Sequence, residues 1–134
     1  MTEEPLWIDR EELHLLYARQ VELFGGSFGV RDENLVESAL HRPRMKFTYE
    51  PHADLFDLAA AYLVGFTKNH GFVDGDKRIG LAAALSFLGA NGWRVAADPR
   101  ELLALVLSVA ASEVDEKTAG SWFRLHARPV TPRG

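Results

Sequence analysis

Residues 53–70 read ADLFDLAAAYLVGFTKNH, and this stretch limits the possible folds more than any other. Leu55, Leu58, Tyr62 and Phe66 recur at helical spacing, while Ala59, Ala60 and Val64 fill the remaining faces. A helix apolar nearly all round is stable only when other elements bury it. The chain therefore needs a central helix, starting near Ala53 and ending near Asn69 or His70, with further helices around it. At 134 residues it has room for one such core, large enough to hold without covalent staples. It contains no cysteine, which excludes disulfides and thiolate metal sites and suits a reducing, cytoplasmic setting.

The surrounding helices have readable start and stop signals. Asp9 with Glu12 marks the start of a first helix to about Phe24, with Leu13, Leu16, Tyr17, Val21 and Phe24 as its apolar stripe and Gly25-Gly26 as its end. A short second helix is expected from about Asp32 to His41, stopped by Pro43. A fourth runs from about Lys77 to Ala90 and stops at Asn91-Gly92; WRVAA follows as a brief extended piece. Asp98 and Pro99 open a fifth helix to about Ala111. A sixth spans about Asp115 to Ala127, with Trp122, Phe123 and Leu125 as its apolar mass. Six helices and almost no strand predict an all-α fold in one domain over residues 1–134. No apolar stretch approaches the ~18–20 residues that cross a bilayer, and the acidic start is unlike a secretion signal. A net charge of −4 without a basic run argues against direct nucleic-acid binding.

One segment, HGFVDGDKR (His70 to Arg78), runs against helix physics. Lys77 and Arg78 fall in the first turn of the fourth helix, where unpaired N–H groups and the macrodipole already present positive charge. Two cations there are unfavourable unless an anion binds, and Gly75 lets one approach closely. The alternative is that Asp74 and Asp76 neutralise the pair locally. His70, at the mouth of the same loop, is suited to take a proton from a hydroxyl near neutral pH. Asp74 is a hard oxygen ligand where a Mg²⁺ bridging phosphates would need one, and Phe72 anchors the loop in the core. His14, His41, His52 and His126 lack paired-ligand spacing and read as surface or helix-face residues.

With those residues in view, the chain resembles the Fic/Doc superfamily, and specifically its death-on-curing (Doc) branch of toxin–antitoxin toxins. The family motif H-x-F-x-(D/E)-(G/A)-N-(G/K)-R is matched by His70, Phe72, Asp74, Gly75, Lys77 and Arg78, with Asp76 in place of the usual Asn. The likeness extends over about residues 8–126. It implies a helical fold of the Fic/Doc type with the motif loop between two central helices. It implies His70 as general base on a protein hydroxyl, Asp74 as Mg²⁺ ligand, Gly75 and the backbone after it around phosphate oxygens, Arg78 on phosphate, and Phe72 as structural. Lys77 stands where AMP-transferring relatives have Gly. It therefore points to the kinase-type reaction, in which ATP offers its γ-phosphate to an acceptor hydroxyl; for the Doc branch this is a threonine of elongation factor Tu, whose modification stops translation. AMP transfer by the same site is the alternative. A third reading is a weakened module that only binds nucleotide or antitoxin.

Asp76 is the one departure from the motif. Asn can donate to a phosphate oxygen, whereas an ionised Asp only accepts. Asp76 therefore caps the fourth helix, adds a second metal contact, or weakens the enzyme; on the last reading Asp76→Asn raises transfer. Some relatives carry an internal inhibitory helix, (S/T)-x-x-x-E-(G/N). Only Ser112 with Glu116 approaches it here, and Lys117 breaks the pattern. An inhibitor supplied in trans, a cognate antitoxin, is what the resemblance implies.

Overall fold

The structure is a computed structural model that describes residues 3–26, 29–72 and 75–130. Six helices follow in order: α1 (Arg10–Phe24), α2 (Glu33–Tyr49), α3 (Leu55–Asn69), α4 (Asp76–Ala90), α5 (Pro99–Ala110) and α6 (Glu116–His126). The only strands among the described residues are β1 (Trp93–Val95) and β2 (Ala127–Pro129), paired antiparallel with Trp93 opposite Pro129. The fold is all-α.

The apolar segment is the axis. Every residue of α3 from Leu58 to Leu63 is buried, and α2, α4, α5 and α6 all pack on it. Two of these approaches depend on glycine. A Cβ on Gly80 of α4 would stand 2.7 Å from Thr67 Oγ1 and 3.0 Å from the Leu63 carbonyl oxygen. One on Gly120 of α6 would stand 3.3 Å from Asp57 Cα. Side chains above hydrogen would push both helices off the axis. The segment before α1 is tied down by the buried Tyr62 hydroxyl, which accepts from the Ile8 N–H at 3.0 Å. Burial pushes this phenol up to about 12, so it stays neutral. Trp7 stacks on Phe87 in the same place, with centroids 5.7 Å apart.

Three sequence expectations change. The second helix does not stop at Pro43 but continues to Tyr49, with Pro43 itself buried. One lost backbone bond is outweighed by burial of Val36, Ala39, Leu40 and Pro43. Phe24 and Leu125 do not join the core; they are 62% and 72% exposed. β2 was not foreseen, because Ala-Arg-Pro has no alternating pattern and is a strand only through its partner.

Candidate active site

The motif loop joins the end of α3 to the start of α4. His70 is the C-cap of α3 in the left-handed region, φ 56°, ψ 36°, which a residue with a Cβ enters at some cost. Its surroundings over-determine that conformation. Arg31, just before α2, donates from Nε (3.0 Å) and Nη2 (2.6 Å) to the His70 carbonyl oxygen. The Arg31 and Asp32 N–H groups both donate to the Gly71 carbonyl. The Gly71 N–H donates to Asn69 Oδ1, while Asn69 Nδ2 donates to the Leu35 carbonyl. The His70 backbone is clamped, yet its side chain is 67% exposed and open to a partner.

Phe72 is buried at 1% exposure, 4.3 Å from the Tyr17 ring and 6.2 Å from Phe66, and an isolated antiparallel bridge pairs it with Val30. Asp74, the expected metal ligand, lies outside the described residues. Gly75 then enters α4 at φ 81°, ψ 18°, a conformation that suits glycine.

Asp76 does not cap α4. It is the first residue of the helix and its side chain turns back, Oδ1 accepting from the Phe72 N–H at 3.2 Å and Oδ2 lying 3.6 Å from His70 Nδ1. Burial holds this carboxyl above the ordinary carboxylate value, opposed by the Phe72 N–H and the nearby His70 and Arg31. Lys77 and Arg78 are thus not neutralised by Asp76. Among the described residues neither meets a carboxylate within ion-pair distance, whereas Arg10, Arg42, Lys46 and Arg124 all do. Arg78 instead lies over the exposed Phe24 ring, 5.2 Å from its centroid.

These groups share a cleft of about 660 Å³, the size of small-molecule sites. His70, Gly75, Asp76, Lys77 and Arg78 line one side; Leu81, Pro99, Leu102, Leu103 and Val106 form an apolar wall from α4 and α5. Thr67 also lines it, 3% exposed, with a hydroxyl that has no hydrogen-bond partner among the described residues. The sequence reading missed Arg31, Asn69, Thr67 and the α5 wall. Arg31 is remote in sequence from the residue it clamps, and nothing in the local pattern around it signals that role. Glu116, the near-match to an inhibitory glutamate, pairs with Arg42 and Lys46.

Known proteins resemble this chain along most of its length. A model of the Fic/DOC family matches residues 7–88. A protein of Escherichia phage P1 described as "Protein kinase doc" is 34% identical over 117 residues, which span 87% of this chain and 92% of that protein. A protein of Mycolicibacterium smegmatis described as "Toxin Doc" is 41% identical over 93 residues, 69% of each.

Proposed function

Since this chain belongs to the Fic/DOC family, we propose that it is a Doc-type toxin that moves the γ-phosphate of ATP to a hydroxyl of a target protein. One observation carries the reading: Lys77 and Arg78 stand at a helix start without acidic partners among the described residues, in the same cleft as His70. Among the described residues no side chain accepts from the Lys77 or Arg78 N–H groups, so helix start and side chains together suit a phosphate. The volume and apolar wall of the cleft suit the rest of a nucleotide. The relative named as a protein kinase supports phosphate transfer over AMP transfer.

In this mechanism the acceptor hydroxyl approaches the exposed His70 ring, which takes its proton at Nε2. The freed oxygen forms a bond to the γ-phosphorus as the bond from that phosphorus to the β,γ-bridging oxygen breaks, and ADP leaves. Lys77 and Arg78 bind phosphate oxygens and offset the charge that spreads over them. A bound Mg²⁺ would supply further charge neutralisation; Asp74, a hard carboxylate donor, suits it chemically. The acceptor we favour is a threonine of elongation factor Tu, with translation arrest as the outcome and a cognate antitoxin holding the toxin inactive in trans.

Induced expression of wild type beside His70→Ala tests this, followed by mass spectrometry of the target. Growth arrest and a phosphorylated hydroxyl are expected for wild type alone, with transfer by His70→Ala down ~10²–10⁴-fold. An added AMP would replace the reaction proposed. Equal arrest by both proteins would leave only a binding module.

A further inference from the structure

We propose that Asp76 is a positioning residue: its carboxylate holds the His70 ring with the proton on Nδ1, leaving Nε2 as the base. This rests on the phosphotransfer reading above and gives Asp76 a role distinct from capping, metal binding or decay.

The two oxygens of the carboxylate face two different groups. Oδ1 accepts the Phe72 N–H at 3.2 Å, and Oδ2 faces His70 Nδ1 at 3.6 Å. The first contact fixes the second, because the Phe72 ring is locked against Tyr17 and Phe66. Asp76 is itself held, its side chain only 13% exposed, while the ring it faces is open. Arg31 grips the same histidine through its carbonyl, so backbone and ring are oriented by separate partners. Which imidazole nitrogen keeps the proton is set by the contact the other makes. An acid that supports a basic histidine in this way fixes both its tautomer and its orientation.

Asn cannot reproduce this here. A carboxylate offers two acceptors, an amide one acceptor and one donor. With its oxygen kept by the Phe72 N–H, the amide of Asp76→Asn would turn NH₂ toward Nδ1. The ring proton would then move to Nε2 and block the base. Asp76→Asn is therefore expected to lower transfer, the opposite of the gain expected if Asp76 had weakened the enzyme.

The test uses the full ¹⁵N-labelled chain without nucleotide. Long-range ¹H–¹⁵N spectra of His70, taken with the ring neutral, report the tautomer of wild type and Asp76→Asn. Steady-state rates with Mg-ATP and acceptor accompany them. We expect an unprotonated Nε2 in wild type and a protonated one in the variant. kcat should fall ~10²-fold, at the low end of what a general base supplies, with KM for ATP unchanged. A wild-type ring protonated on Nε2, or the same tautomer in both proteins, overturns the proposal; the wild-type spectrum alone decides it should the variant not fold. The expected tautomers without phosphate transfer by either protein would uphold the positioning and sink the phosphotransfer reading instead.

Discussion

Five of the six helices begin one way and the sixth another. Asp9, Asp32, Asp54, Asp98 and Asp115 each precede a helix in extended backbone, with a side-chain oxygen accepting from the first turn. α4 is entered from left-handed Gly75, which brings no side-chain acceptor. Its first turn holds two cations that the macrodipole disfavours. The aspartate starts satisfy first-turn N–H groups and so contribute to stability. The α4 start gives up that contribution in the cleft where the ligand groups converge, as a site does when part of its binding energy must come from outside the chain.

Arg78→Ala tests that contrast hardest. If the α4 start exists for a ligand, the substitution lowers phosphate transfer by ~10²-fold, or ~2.7 kcal/mol in the barrier. The melting temperature should hold, because removing a cation from a helix start returns ~0.3–1 kcal/mol against the lost contact with Phe24. Melting curves and transfer rates on one preparation check it. A large fall in melting temperature with transfer intact would make Arg78 structural and dissolve the contrast.

Asp98→Ala tests the other side. Asp98 accepts from the Arg100 and Glu101 N–H groups, and the Glu101 side chain accepts from the Asp98 N–H in return. Losing this cap costs ~1 kcal/mol, about 4 °C in melting temperature for a chain of this size. Transfer at a temperature where the variant is folded should be unchanged. A fall in transfer without a fall in stability would mean that the α5 start also belongs to the site.

The same contrast explains what the sequence could show. Helix starts and the central axis were legible because they depend on local chemistry: an aspartate before an apolar stripe, or apolar residues all round Leu55–Asn69. The motif was legible because its order is linear. What stayed hidden depends on residues far apart in the chain. Arg31 reaches His70 across 39 positions, and the α5 wall meets the cleft only through packing on α3 and α4. Pro43 misled because a local rule lost to burial. Phe24 misled because its place in the stripe of α1 puts it at the cleft and not in the core. Asp76 has the sequence look of a cap, yet its side chain turns backward to a buried N–H.

Asp115 and Asp76 allow the smallest and sharpest version of the comparison, since two aspartates at helix starts are shifted in opposite directions. The Thr118 N–H draws the Asp115 carboxyl below 3.8, so its contribution to stability is present above that value and lost as pH falls through the lowered folded value. Burial raises Asp76 above 3.8, which reverses the sign: ionising it in the folded state costs stability. That cost is absent below 3.8 and complete once pH has risen past the raised folded value. Near neutral pH, Asp76→Asn should therefore melt slightly above wild type and Asp115→Asn slightly below. Both gaps should close with acid, that of Asp76→Asn by about pH 3.8 and that of Asp115→Asn only below it. Melting temperatures recorded across the acid range check this. Gaps of the same sign would mean that the α4 aspartate is one more stabilising start, like the other five.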